Sequence, residues 1–361
     1  MLERWWKKIV RRPGMSLLAI PAFFLWLVSL VYRLGFYIRK KTTKPMVKLN
    51  IPVISIGNIS VGGTGKTPLV AVLSRFMLDE GYRIGIVSSG YGRSSEEPVL
   101  GEGYEIRDLD PDITGDEMKH LAGLLPDAVF SVDKVKAIAA QRAADSGKVD
   151  LVIVDDGFQH FQLARDIDIV TYDAAIKRKQ LKPFPYGFLR EPVSSLKRAD
   201  VIIITRAKFA KNLHGLQKRL LRINKSAEHY HAQFTATNII GKEQTLSVKY
   251  LEDKSVFLFA GVGNFGSLRR QVSALCADLD FAMELSDHQV YDEELLERIK
   301  TLADKYDSDL ILTTGKDWVK LQDFDFDREI YYLNQTVDLD PGEEKLVAYI
   351  EEKLKLEKMV Q

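Results

Sequence analysis

The sequence predicts an α/β protein: a P-loop NTPase-like parallel sheet first, a smaller βα series after it, and an apolar helix at the N-terminus. Three observations carry this. Short apolar runs rich in β-formers alternate with helical patterns, which indicates a parallel sheet covered by helices on both faces. The first of these runs breaks into a glycine-rich turn ending in Gly-Lys-Thr. A stretch of period-2 alternation then interrupts the series before it resumes.

The first element, residues 1–48, is basic and apolar. Arg4, Lys7, Lys8, Arg11, Arg12, Arg33, Arg39, Lys40, Lys41, Lys44 and Lys48 stand against the single acid Glu3, and "MSLLAIPAFFLWLVSLVY" (15–32) has no charge. A run of about 18 apolar residues sits at the lower limit for crossing a bilayer. A signal peptide fits poorly, because the basic aromatic "RLGFYIRKK" follows where a small-residue cleavage site belongs. A buried core helix competes, but Trp5, Trp6, Trp26, Tyr32 and Tyr37 resemble interfacial anchors. Membrane association is the expectation. Spanning and lying in the interface both stay open, and Pro21 kinks either version.

The next element is the P-loop domain, residues 49–225. "VISIG", "RIGIVSS", "LVIVDDG", "IDIVTYD" and "VIIITRA" read as its strands. A helix from about Thr67 to Glu80 repeats Leu69, Val70, Leu73, Phe76 and Met77 at helical spacing, with Pro68 in its first turn and Gly81 at its end. Residues 226–250 alternate with period 2 around a turn near Gly241 and read as a β-hairpin connector. A C-terminal α/β domain, 251–361, follows with "SVFLFAGVGN", "FAMELSDH", "DLILTTGKD" and "EIYYLN".

With 361 residues, 46% of them hydrophobic, the chain buries a substantial core and suits two domains. Lys plus Arg (51) nearly cancels Asp plus Glu (50), so the whole molecule is not a polyanion binder and no nucleic-acid partner is expected. The lone Cys276 excludes an intramolecular disulfide and a cysteine zinc cage, and suits a reducing compartment.

Chemistry concentrates in two motifs. In "VISIGNISVGGTGKTP" a strand, a glycine-rich turn and an amphipathic helix follow in the order a phosphate cradle requires. Backbone N–H groups and the helix N-terminus bind phosphate oxygens, Lys66 reaches the β/γ-phosphates, and Thr67 offers its hydroxyl to Mg²⁺. Ser60 stands where the usual pattern has glycine, while Gly62, Gly63 and Gly65 supply backbone freedom. In "DLVIVDDGFQH" an apolar strand ends on Asp155 and Asp156, resembling a Walker B element with one acid for Mg²⁺ and one for the reaction centre. Asp116 and Glu117 of "ITGDEMKHLA", Asp287 and His288 of "LSDHQVY", and Arg190 and Glu191 of "YGFLREP" are each weak alone.

Together they are specific. "GNISVGGTGKTP", "SSGYGR", "GDE", "VDDGFQH", "LREP", "AGVGN", "SDH" and "TTGKD" occur in one order that closely resembles the tetraacyldisaccharide 4'-kinase family of Gram-negative bacteria, from the N-terminal apolar segment to about Leu321. The resemblance implies two α/β/α domains joined by a two-stranded β-linker. It implies transfer of the ATP γ-phosphate to the 4'-hydroxyl of a lipid A disaccharide 1-phosphate at the cytoplasmic face of the inner membrane; no obligate protein partner is evident in the sequence. Carried over, Ser60, Val61, Gly62, Gly63, Thr64, Gly65, Lys66 and Thr67 form the ATP phosphate loop. Asp116 is the general base, tuned and positioned by Asp156 and His288. Thr67, Asp155, Gln159 and Glu191 serve Mg²⁺ directly or through water. The chain departs from the family pattern at Ser89 (usually Arg), Met118 (usually Pro) and Gly315 (usually Glu).

Three other readings compete. A GTPase or metallochaperone needs an N-K-x-D element, and "TRAK" (205–208) lacks both Asn and Asp. A partition-type ATPase needs a lysine where Val61 stands. A membrane-tethered nucleotide sensor would tolerate loss of Asp116.

Overall fold

The structure, a computed structural model, describes residues 2–11, 18–43, 47–322, 324, 326 and 328–356. Of the basic and apolar segment expected at the N-terminus, Arg12, Met15, Ser16, Leu17 and Lys44 lie outside the described residues.

The strands are β1 Val53–Asn58, β2 Ile84–Ser88, β3 Val99–Glu102, β4 Val129–Val132, β5 Leu151–Asp155, β6 Ile167–Asp173, β7 Val201–Thr205, β8 Glu228–Ile240, β9 Thr245–Ser247, β10 Ser255–Ala260, β11 Asp278–Glu284, β12 Leu310–Thr313 and β13 Ile330–Asp340. They form one continuous path, β11-β10-β12-β13-β8-β7-β6-β1-β5-β2-β4-β3, with β9 beside β8. Pairing is parallel from β7 through β6, β1, β5 and β2 to β4, and again among β10, β11 and β12. The central strands β1, β5, β6 and β7 are buried along their whole length, as parallel strands covered on both faces must be.

Three helices matter for the site: α1 Leu2–Arg11, α2 Ala19–Thr42 and α3 Lys66–Asp79. The last begins one residue before the sequence reading placed it, and Leu69, Val70, Leu73 and Met77 of its apolar stripe are buried. α2 is long and apolar enough to cross a membrane, and Ile20, Phe23, Phe24, Val28, Val31, Leu34 and Ile38 project outward from it. Trp6 anchors α1 on the first lobe: its indole donates to the Pro185 carbonyl at 2.6 Å and packs against Phe184 and Phe188.

The hairpin expected near Gly241 is present as three residue pairs between β8 and β9. The long partner of β8 is instead β13, antiparallel from Tyr332–Ile240 to Asp340–His231. A local turn signal reveals only the nearer of the two pairings. The terminal helix Glu343–Leu354, read from sequence as part of the second domain, returns to the first: Leu346, Val347 and Ile350 join the core formed by Leu69, Leu73 and Met77. The second lobe is therefore inserted between β8 and β13.

Candidate active site

The phosphate cradle begins where β1 runs out. Gly65 caps α3 with φ of +85°, and a Cβ there would fall 2.1 Å from the Phe234 ring, so only glycine fits. Thr64 is buried and held from inside, its hydroxyl accepting from Asn58 Nδ2 at 2.9 Å and lying 2.8 Å from Thr171 Oγ1. Residues 186–191, the start of the 186–200 stretch whose default reading is a plain surface loop, form a strap along the cradle. Val61 donates its N–H to Phe188 O at 2.7 Å, and Arg190 donates its own to Ile59 O at 2.9 Å. The Val61 N–H is thus committed to the strap, while Gly62 and Gly63 are exposed and open.

The paired acids lie where the sequence placed them, at the end of β5. Asp156 adopts a left-handed backbone, φ +50°, unusual for a residue with a side chain. Lys66 Nζ lies 3.4 Å from its Oδ1, and Arg190 donates to Oδ2 at 2.8 Å. Burial pushes this carboxyl up, but Lys66, Arg190 and Lys136 outweigh it and hold Asp156 below the usual range. Lys136, buried and missed by the sequence reading, donates to the carbonyls of both Asp155 (2.7 Å) and Asp156 (2.9 Å) and so clamps the turn. Asp155 meets the opposite fate: burial first, then the Glu117 charge, push it up to about 7.

Among the described residues Asp155 Oδ1 is buried with no hydrogen-bond partner, an orphaned acceptor within the field of Lys136 and Lys66. Such a group fits a cation, and Thr67 in the first turn of α3 fits the hydroxyl ligand of a P-loop magnesium. Among the described residues no group of three or more His, Cys, Asp or Glu forms a metal cage. That agrees with Mg²⁺, which takes one or two protein ligands beside phosphate and water. Glu191 is held in place: Arg198 donates to both its oxygens at 2.9 and 3.1 Å, and Gln159 donates to Oε1 at 2.8 Å, which leaves acceptor capacity on Oε2.

The third cluster joins the lobes. Asp116 opens the helix Asp116–Leu124, is 3% exposed, and receives groups from beyond residue 280. His288 Nδ1 is 3.1 Å and Lys320 Nζ 2.9 Å from its Oδ2, with Lys316 Nζ at 4.0 Å. Burial raises the Asp116 carboxyl, but the His288 hydrogen bond and the two ammonium groups prevail and lower it to about 2. His288 is itself in the left-handed region, φ +55°, with the Tyr91 ring 4.7 Å away and Lys316 Nζ 3.1 Å from Nε2. Lys316, inside the quoted "TTGKD", also reaches Asp287 at 2.7 Å and Glu117 at 3.6 Å.

Two of the three departures acquire a physical reason. Met118 is 1% exposed and fills the first-lobe core. A Cβ on Gly315 would fall 2.0 Å from His120 Cε1, so the His120 ring occupies the space a side chain there would need. Nothing in the structure explains Ser89. Of the nearby arginines, Arg93 donates Nη1 to the Glu97 and Ile113 carbonyls, and Arg190 is the one that reaches Asp156.

A glycine cradle, a lysine at a helix start and two acids on a neighbouring strand define a P-loop phosphotransferase. The family model for tetraacyldisaccharide-1-P 4'-kinase matches residues 21–355. The chain is 35% identical to the tetraacyldisaccharide 4'-kinase of Halothermothrix orenii, covering 83% of each chain. It is 33% identical to that of Geobacter metallireducens, covering 85% of this chain and 88% of that one. A crystal structure of LpxK from Aquifex aeolicus in complex with ATP superimposes with a TM-score of 0.72 and 27% identity, covering 92% of this chain and 99% of that one. The chain belongs to the tetraacyldisaccharide 4'-kinase family. It is an ATP- and Mg²⁺-dependent lipid kinase that phosphorylates the 4'-hydroxyl of tetraacyldisaccharide 1-phosphate.

Proposed function

We propose that Asp116 is the general base of this reaction and that Lys66, Asp156 and His288 complete the catalytic set. The convergence of His288, Lys316 and Lys320 on Asp116 from the other lobe carries this reading. Oδ2 is saturated by those groups, whereas among the described residues Oδ1 accepts the Glu117 N–H alone and keeps acceptor capacity for a sugar hydroxyl. A carboxylate held low is always ionised near neutral pH. It suffices because phosphoryl transfer depends on alignment and charge neutralisation more than on base strength. Residues 60–67 cradle the ATP phosphates, and Lys66, braced by Asp156, faces the transferred group. Magnesium, when bound, neutralises charge developing on the phosphate oxygens. Asp155 and Thr67 are its direct ligands in this reading, and Gln159 and Glu191 act through ordered water.

An acceptor with four acyl chains leaves a bilayer only at about 0.8 kcal/mol per exposed methylene, so the enzyme works at the lipid surface. The outward apolar face of α2 and the basic residues around it are suited to that surface, with the catalytic lobes on the cytoplasmic side where ATP is found. Mg-ATP and tetraacyldisaccharide 1-phosphate are expected to yield a lipid heavier by one phosphoryl group in mass spectrometry. ATP hydrolysis with unchanged lipid would overturn the kinase reading. Digestion of the lobes in inverted but not right-side-out vesicles tests the membrane side.

A further inference from the structure

The segment after β7, "TRAK", stands where related nucleotide folds read the base, yet it carries no such chemistry. The structure gives Arg206 another position. Its backbone is left-handed, φ +54°, a conformation held only where surroundings over-determine it. Its guanidinium joins a strand end to the glycine-rich loop: Nη2 pairs with the buried carboxylate of Asp173, at the end of β6, and donates to the Gly63 carbonyl at 2.9 Å.

Gly63 is exposed, and no atom stands within 4 Å of where its Cβ would be, so no side-chain packing fixes this part of the loop. The peptide joining Gly63 to Thr64 is planar and trans, with its C=O and N–H pointing in opposite directions. A carbonyl drawn toward Arg206 therefore turns the Thr64 N–H the other way, toward the cradle. Thr64 cannot compensate by rotating, since its hydroxyl is locked between Asn58 and Thr171. With the Val61 N–H already committed to Phe188, the cradle depends more heavily on the amides that remain.

We propose that Arg206, held by Asp173, is a positioning residue that fixes the Gly63–Thr64 amide in the orientation that binds ATP phosphate. It orders the loop from outside and touches no reacting atom. The inference rests on the reading that residues 60–67 hold the ATP phosphates, and needs nothing from the lipid acceptor.

Calorimetric ATP binding to the full-length protein tests it, with steady-state KM and kcat alongside. Arg206→Ala is expected to weaken ATP binding about tenfold or more, the scale of one lost hydrogen bond to a charged group, with the loss falling mainly on KM. Asp173→Asn should do much the same, and the double variant should be no worse than either single one, because both act through one contact. Arg206→Lys, which keeps the charge but lacks the planar guanidinium that aims one nitrogen at both acceptors, should fall in between. Wild-type ATP affinity in Arg206→Ala with an unchanged Tm would overturn the inference. So would additive losses in the double variant, or, if Arg206→Ala fails to fold, wild-type affinity in Arg206→Lys. Lys66→Ala separates the two readings: if it too leaves ATP binding intact, the phosphate-loop assignment has failed, and this inference with it.

Discussion

In the proposed mechanism the phosphate end of the site is one unbroken stretch, residues 60–67, behind a single strand. The acceptor end is Asp116, with partners from positions 288, 316 and 320 in the inserted second lobe. The first is built by local chain direction: a strand, a glycine at positive φ, a helix N-terminus. The second exists only while the lobes are together. ATP binding and acceptor chemistry are therefore separable, and variants in the second lobe should damage the latter while sparing the former.

Asp116→Asn is the sharpest way to break that separation. It should lower kcat by roughly 10²- to 10⁴-fold, the usual range for a lost general base, while calorimetric ATP affinity stays at the wild-type value. A parallel loss of ATP binding would mean that the two ends are one unit.

The next effect belongs to the phosphate end. Below the Asp155 pKa of about 7 the carboxyl carries a proton that a cation must displace. Apparent Mg²⁺ affinity should thus rise by about tenfold per pH unit below neutrality and flatten above it, and Asp155→Asn should abolish the slope. The same shift acts on stability. Because the folded value lies above the ordinary 3.8, the contribution of Asp155 to the nucleotide-free protein is full below that value and is lost as pH rises through about 7. Asp116 runs the other way: its contribution is present above the ordinary carboxylate value and is lost as pH falls through about 2. Thermal melts across pH, with and without Mg-ATP, read both trends.

Smaller effects sharpen the lobe contact. Gly315→Ala should destabilise by about 1–3 kcal/mol through overpacking against His120, and His120→Ala in the same chain should recover part of it; additive losses would show that the two do not touch. Lys320→Met should change kcat only a few-fold. It removes one of the charges that lower Asp116, so the acidic limb of the kcat profile should move to higher pH.

The sequence was readable wherever neighbours in the chain are neighbours in space. Strands β1, β2, β5, β6 and β7 and helix α3 follow from apolar runs and helical spacing, and the cradle and paired acids follow from strand ends; β3 and β4, four residues each, were not read. The pairing of β8 with β13 was not readable, because register between distant segments leaves no local signature. Lys136, Lys320 and Arg198 escaped for a related reason: a lysine or arginine in sequence looks like a solvated charge until the fold shows the acids and carbonyls it faces. Lys316 lay inside a quoted motif, but its role depends on Asp116, two hundred residues earlier. His288 came from the family resemblance, since an isolated histidine after a strand gives no sign of what it touches.

The insertion of the second lobe between β8 and β13 governs how the two ends can move. Both covalent connections run through one antiparallel ribbon, and its ladder slips register between Asn334 and Gln335. Two-stranded ribbons twist more readily than broad sheets, and a bulge concentrates that twist. Relative motion of the lobes is accordingly a torsion of this ribbon and not the swing of a loop. A torsion of that kind would shift His288, Lys316 and Lys320 against Asp116 together with Gly263, whose Cβ position lies 3.7 Å from the Gly63 nitrogen, so both ends of the site would answer to one mechanical coordinate.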